Sequence, residues 1–118
     1  MYRFEWNYGI KTQKRFNGFV DDMRNDFNMG TNYEQAARLF YADGNGYYVM
    51  VELQVPTVEM FRDGEKHMPW LDAYEVKSLE DYDASNEIYT GIGNGEVITF
   101  ENAEELMLKL AKELCEED

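Results

Sequence analysis

The sequence has one cysteine, one histidine and two serines among 118 residues, and this scarcity excludes several kinds of chemistry. Cys115 stands alone, so no intrachain disulfide can form. One cysteine and one histidine, His67, cannot supply the ligands of an ordinary zinc site. Neither Ser78 nor Ser85 has the G-x-S-x-G setting of a hydrolase nucleophile. The sequence therefore predicts a protein without catalytic residues, metal or cofactor.

Long apolar runs are also missing. A membrane-spanning helix needs roughly 20 apolar residues, and the chain has no such run. The opening residues MYRFEWNYG alternate polar and aromatic side chains, without the basic and apolar regions of a signal peptide. We therefore expect a cytoplasmic protein that makes no membrane contact.

Basic residues are few. Eleven Lys and Arg face 24 Asp and Glu, which gives a net charge of −13. Residues 1–40 carry six basic and five acidic side chains, whereas residues 41–118 carry five basic and nineteen acidic ones. Such a field repels nucleic acid, whose binding requires Lys and Arg to displace counterions. It attracts basic proteins, so we expect a basic partner, in particular a nucleic-acid-binding enzyme. Plain solubility explains the charge equally well.

The length of 118 residues and mass of 13.9 kDa fit one domain, residues 1–118. In residues 2–8 an aromatic ring falls on every second position, which predicts a strand. We expect these rings to form part of the core, with the tyrosine hydroxyls at its rim. The rings belong to Tyr2, Phe4, Trp6 and Tyr8.

The next segment changes to helical spacing. Thr12 can cap the start of this predicted helix, and Gly30 can end it. Its apolar face consists of Phe16, Phe19, Val20, Met23 and Phe27.

The middle of the chain reads mainly as strands. Residues 33–42 fit either a helix or a strand, and we expect a short helical start that runs into a strand. Residues 47–55 form a strand after an Asp-Gly-Asn-Gly turn, and Pro56 ends that strand or places it at an edge. Residues 74–79 predict a further strand.

The last third predicts a hairpin and a helix. Residues 87–100 have strand character on both sides of Asn94-Gly95, a pair that favours a type I′ turn. Asn102 and Glu105 resemble a capping box at the start of a C-terminal helix. Its buried stripe consists of Ala103, Met107, Leu110 and Leu114.

Together these elements predict a single α+β domain. We expect a mainly antiparallel sheet of about four to six strands, with two or three helices packed on one face.

Two short patterns resemble ligand motifs but are incomplete. Asp81, Asp83, Ser85 and Glu87 have the spacing with which an EF-hand loop begins, but Asn86 replaces its glycine and Ile92 its final glutamate. We expect a solvated acidic loop. Gly91 and Gly93 form a G-x-G that neither opens a helix nor completes a dinucleotide fingerprint.

The functional hypothesis therefore depends on charge. We expect a small non-catalytic protein that inhibits or masks a basic, nucleic-acid-binding partner by electrostatic mimicry, as anti-CRISPR and anti-restriction proteins of phages and mobile elements do. An immunity or antitoxin-like protein that binds a basic toxin is the alternative. A small enzyme or small-molecule sensor, with its pocket behind Trp70 and the loop around His67, is a weaker one. The partner-binding acids are predicted to be Glu80, Asp81, Asp83, Glu87, Glu113, Glu116, Glu117 and Asp118.

Overall fold

The computed structural model describes residues 1–25, 33–58, 60, 68–80, 86–91 and 97–116. These residues contain five strands and two helices. Neither helix of this described part is long and apolar enough to span a membrane. The strands are β1 (Tyr2–Trp6), β2 (Tyr33–Ala42), β3 (Tyr48–Pro56), β4 (Trp70–Val76) and β5 (Asn86–Gly91), and the helices are α1 (Gln13–Asn25) and α2 (Ala103–Glu116).

The five strands form one sheet in the order β1-β2-β3-β4-β5, and every neighbouring pair is antiparallel. Helix α1 lies in the connection between β1 and β2, and α2 follows β5 in the chain. The predicted α+β class with an antiparallel sheet is confirmed. Strand β3 is central, and Pro56 ends it instead of marking an edge.

One face of the sheet shares a buried cluster with both helices, and we call it the helix-side face. Alternate residues of β3 supply its centre, because successive side chains of a strand point to opposite faces. The cluster includes Val49, Val51, Leu53 and Val55 of β3, Phe16, Phe19 and Met23 of α1, and Ala103, Met107, Leu110 and Ala111 of α2.

The aromatic strand is shorter than the predicted residues 2–8, because β1 ends at Trp6 and Tyr8 lies beyond it with a φ of 55°. Phe4 and Trp6 pack against the helix-side cluster, and the Trp6 ring stacks on Phe100 with centroids 5.0 Å apart. Tyr2 at the start of β1 and Tyr8 after its end are exposed, and their hydroxyls donate hydrogen bonds to surface glutamates.

Helix α1 begins as predicted. The Thr12 hydroxyl oxygen accepts a hydrogen bond from the Arg15 backbone N–H at 3.1 Å, which satisfies one of the free donors of the first turn. Phe27 and Gly30 lie outside the described residues.

The predicted helical start of residues 33–42 is wrong, because β2 is extended from Tyr33 to Ala42. The register of β2 with β3 shifts between Gln35 and Ala37, so one extra residue interrupts the alternation. Ala36 and Ala37 are consequently both buried, and two adjacent apolar positions imitate helical spacing.

The turn between β2 and β3 has the predicted chemistry. Asp43 Oδ1 accepts hydrogen bonds from the backbone N–H groups of Asn45 and Tyr47. Gly44 and Gly46 have φ values of 89° and 88°, a backbone region that side chains disfavour.

Two further boundaries differ from the sequence prediction. Strand β4 covers Trp70–Val76, so it begins and ends earlier than the predicted strand at 74–79. Of the predicted hairpin, β5 is observed and the described residues 97–100 form no strand, whereas the Asn94-Gly95 turn lies outside the described residues.

The start of α2 explains why the described residues 97–100 form no strand. Asn102 Oδ1 accepts a hydrogen bond from the Thr99 N–H at 2.7 Å, and the Thr99 hydroxyl accepts one from the Asn102 N–H. Thr99 and Asn102 therefore form the reciprocal bonds of a capping box, three residues earlier than the predicted pair of Asn102 and Glu105. These bonds fold residues 97–100 into the approach to the helix.

Replacing Trp6 by Ala should lower the free energy of unfolding by about 3 kcal/mol, because the half-buried ring loses its contacts with Phe4, Phe16 and Phe100. Urea unfolding followed by circular dichroism would measure this loss. Tyr2→Phe is the matched control, since it removes only an exposed hydrogen bond and should cost less than about 1 kcal/mol. Equal stability of the Trp6→Ala variant and the wild type would contradict a core role for the ring.

Candidate functional site

A row of polar side chains crosses the face of the sheet opposite the helices, which we call the far face. The strand registers pair Glu5 with Arg38, Arg38 with Glu52, Glu52 with Asp72, and Asp72 with Thr90. Directly paired residues of neighbouring strands point to the same face. The row therefore contains one residue from each strand, and we call it the polar row.

Two carboxylates lie side by side at the centre of the polar row. Glu52 on β3 is 8 % exposed, and its partner Asp72 on β4 is 4 % exposed. Like charges on directly opposed positions of two strands destabilise a sheet, and burial increases the cost. The Arg38 guanidinium Nε lies 3.9 Å from Glu52 Oε2 and compensates part of this charge.

Neighbours hold Asp72 in place through one of its two oxygens. The Trp70 indole N–H donates to Asp72 Oδ1 at 3.0 Å, and the Thr90 hydroxyl donates to the same oxygen at 2.6 Å. Among the described residues no donor bonds to the other oxygen, Oδ2. The carboxylate is therefore fixed in orientation but retains acceptor capacity.

Gln54 lies two residues after Glu52 and on the same face of β3. Its side-chain Nε2 donates to Glu52 Oε1 at 3.4 Å, which determines the orientation of the amide, since the flipped form would set two oxygens against each other. Gln54 is 2 % exposed, and within the described residues its Oε1 has no hydrogen-bond donor. A buried carbonyl oxygen without a donor costs about 1–3 kcal/mol.

Aromatic rings flank these acceptors. Tyr33 on β2 and Trp70 on β4 meet across β3 with ring centroids 5.3 Å apart, and Tyr74 lies next to Asp72 and Glu52 along the far face. Burial raises the pKa of Tyr33 and of Tyr74, and Asp72, Glu52 and Glu87 raise both further. The carboxylates therefore create a negative potential beside the rings.

Burial likewise raises the pKa of Glu52, the opposing effect of Arg38 comes next in size, and Asp72 raises the pKa again. Arg38 thus offsets only part of the cost of placing this carboxylate inside the protein. We call Glu52, Gln54 and Asp72 the acceptor cluster.

The opposite end of the far face is apolar and closed. Phe40, Met50 and Val76 form a buried cluster, and Leu79 packs against it. The Arg3 guanidinium lies 4.6 Å from the centre of the Phe40 ring and donates to the Leu79 carbonyl oxygen at 2.8 Å. Packing within the protein accounts for these side chains, so this end of the far face suggests no ligand-binding site.

An open groove of about 360 Å³ lies beside α1, on another part of the molecule. Asp21 and Arg24 of the helix contribute its charged side chains. Its remaining lining residues are Gln13, Phe16, Asn17, Val20, Met68, Pro69, Val97, Ile98 and Thr99. This lining has no nucleophile beside a base, so the groove suggests no reaction.

The acids predicted from sequence lie in different parts of the fold. Glu87 pairs with Tyr74 at the far face, and Glu80 follows Leu79, which packs on that face. Glu113 and Glu116 are exposed on α2. The structure therefore places Glu80 and Glu87 apart from the two glutamates of α2. Asp81, Asp83, Glu117 and Asp118 lie outside the described residues, as do Ser85 and His67.

The described residues offer little for catalysis. They contain no group of three or more His, Cys, Asp or Glu side chains placed to hold a metal ion. Burial, and then the nearby Asp43 and Glu116, raise the pKa of the Cys115 thiol to about 11. A thiol with such a pKa is protonated at neutral pH and is a poor nucleophile.

Scans of the chain against protein-family models, curated proteins and solved structures found no match. The functional argument therefore depends on the residues of this chain. Sequence reasoning missed the acceptor cluster, because polar residues that alternate with apolar ones in a strand usually face solvent. The sequence did contain one signal of their burial. Apolar residues lie on both sides of Glu52 and Gln54, a pattern that is typical of a central strand.

Replacing Glu52 by Gln should make the free energy of unfolding less dependent on pH. The raised pKa means that the folded protein holds this proton more tightly than the unfolded chain, whose ordinary value is 4.5. Glu52 therefore favours folding below pH 4.5, and this contribution is lost as the pH rises through the raised pKa. We expect Glu52→Gln to gain stability relative to the wild type as the pH rises from 4.5 towards neutrality.

Urea unfolding at a series of pH values would measure this gain. Arg38, Asp72, Glu87 and the neighbouring tyrosines remain in the variant, so the difference isolates the Glu52 carboxylate. The exposed Glu113→Gln on α2 is the control and should show no such gain. A pH-independent difference between Glu52→Gln and the wild type would contradict the burial cost assigned to Glu52.

Proposed function

We propose that this protein is a small, acidic, non-catalytic binding protein that inhibits or masks a basic, nucleic-acid-binding partner by electrostatic mimicry. The net charge of −13 on 118 residues carries this proposal, together with the concentration of nineteen acids in residues 41–118. An anti-CRISPR or anti-restriction protein of a phage or mobile element would be of this type.

The arrangement of exposed acids supports the proposal. Helix α2 and the turn before it present five exposed glutamates, and Glu80 and Glu87 add two more near the far face. Negative charge is thus available on both sides of the sheet. The glutamates of the helical region are Glu101, Glu104, Glu105, Glu113 and Glu116.

The charge at the end of α2 is unfavourable to the isolated helix. The C-terminal end of a helix already presents about half a negative charge, so Glu113 and Glu116 oppose its dipole. No basic residue lies in the last turn of the helix to compensate. A basic partner would supply the missing cations.

A nucleic-acid-binding groove is the kind of partner surface that such an acid distribution fits. Its Lys and Arg side chains are spaced to contact phosphates, and carboxylates on a folded scaffold can occupy the same positions. Long-range attraction between the two surfaces would raise the association rate.

Association with the partner should slow as acids are neutralised or salt is added. The partner would be captured from the source host at low salt and purified, and its association measured by stopped-flow fluorescence. Neutralising Glu116, Glu117 and Asp118 to Gln or Asn should slow association and leave the fold intact. Neutralising Glu80, Asp81 and Asp83 should act in the same direction, and the rate should fall steeply with added salt.

Lys109→Gln with Lys112→Gln is the matched control on α2, because it removes cations and should speed association. Nucleic acid should compete with this protein for the partner. If salt and both acid sets leave the rate unchanged, the proposal fails and the charge serves solubility alone. If association is salt-dependent but nucleic acid binds at the same time, mimicry is wrong and an immunity or antitoxin-like role is favoured.

A further inference from the structure

We propose that the acceptor cluster on the far face, with the rings of Tyr33, Trp70 and Tyr74 beside it, binds the guanidinium group of an arginine side chain from the protein partner. This inference rests on the proposed function, because it assigns one contact that a basic partner would make. It does not follow from the overall charge, since the exposed acids on α2 lie in another layer of the molecule.

The charge balance of the far face calls for a cation. Among the described residues of the far face, the carboxylates of Glu5, Glu52, Asp72 and Glu87 are opposed by the guanidinium groups of Arg3 and Arg38. Two formal negative charges therefore remain in excess. Glu52 and Asp72 are both more than nine-tenths buried, so solvent compensates them poorly.

Hydrogen bonding gives a second, independent indication of a ligand. Gln54 is 98 % buried, and its Oε1 has no donor among the described residues. Asp72 beside it accepts its two described hydrogen bonds at Oδ1. A buried acceptor in a folded protein is normally satisfied, so the open Gln54 oxygen beside an excess of negative charge fits a cationic donor.

Arginine satisfies these groups better than lysine. A guanidinium is planar and carries five N–H donors, so one group can bond to a carboxylate and an amide oxygen at once. It also stacks on aromatic rings, and the Trp70 ring is held in place by its bond to Asp72 and its contact with Tyr33. The ammonium group of lysine is compact and strongly hydrated, so it stacks on aromatic rings less well than a guanidinium group does.

Arg38 does not already fill this role. Its Nε lies 3.9 Å from Glu52 Oε2, at the outer limit of an ion pair, and its position on β2 places it on the side of Glu52 away from Asp72. Among the described residues it therefore pairs with one carboxylate of the cluster, and no ion pair is found at Asp72.

A direct test uses the isolated protein and the tripeptide acetyl-Gly-Arg-Gly-amide, followed by nuclear magnetic resonance of the ¹⁵N-labelled chain. The indole N–H of Trp70 should shift saturably, and that of Trp6 on the helix-side face should not, which provides an internal control. The matching citrulline peptide has the same shape without the charge and should produce no shift. The lysine peptide should bind more weakly than the arginine peptide.

Variants separate the cluster from general electrostatics. Glu52→Gln with Asp72→Asn should weaken binding of the arginine peptide at least tenfold, because charge pairs shielded from water contribute strongly (on the order of tenfold or more). Glu113→Gln with Glu116→Gln removes the same number of charges from α2 and should leave binding nearly unchanged. Gln54→Met removes the open acceptor without altering the charge, and it should also weaken binding of the arginine peptide. This variant provides the test if the double variant does not fold.

Equal shifts with the citrulline peptide, or equal losses in the α2 variant, would overturn the inference. The two proposals also fail separately. If a basic partner associates in a salt-dependent manner and is unaffected by Glu52→Gln with Asp72→Asn and by Gln54→Met, the arginine site is wrong and the proposed function stands. If the peptide binds the cluster but the purified partner shows neither salt dependence nor competition by nucleic acid, the proposed function is wrong and the arginine site stands.

Discussion

The burial of β3 on both faces is the constraint on which the rest of the structure depends. Its residues from Val49 to Pro56 are all buried, with β2 and β4 paired on either side. Because successive side chains of β3 point to opposite faces, its valines and leucine face the helices, and Glu52 and Gln54 lie on the far face. A slip of one residue would exchange these sets, so the apolar cluster of the helix-side face also fixes the position of the buried carboxylate.

Features determined by neighbours in sequence could be predicted, and features determined by distant partners could not. The capped start of α1 and the turn at Asp43 follow from local chemistry, and the sequence predicted both. The bulge in β2 depends on its pairing with β3, and it made an extended segment resemble a helix. The start of α2 similarly uses Thr99, which a hairpin pattern had assigned to a strand.

The candidate site shows the same division. Composition revealed an acidic protein, and exposed acids such as Glu113 and Glu116 were found from sequence because charged residues at a helix end are conspicuous. Glu52 and Asp72 were missed, since their proximity depends on the register between two strands that the sequence does not state. Gln54 was missed for a related reason: a glutamine in a strand appears unremarkable until its burial is known.

The proposed function gives the two kinds of acid different tasks. Exposed carboxylates act over a distance of about 8 Å at physiological salt, so they influence chiefly the rate at which a basic partner arrives. Buried carboxylates act on contact, and losing such a contact changes chiefly the rate of dissociation. Burial of two opposed acids at positions 52 and 72 costs the free protein solvation energy that Arg38 only partly offsets. The acceptor cluster is thus a local cost to the fold, and a bound cation would convert that cost into affinity for a partner whose arginine contacts the far face.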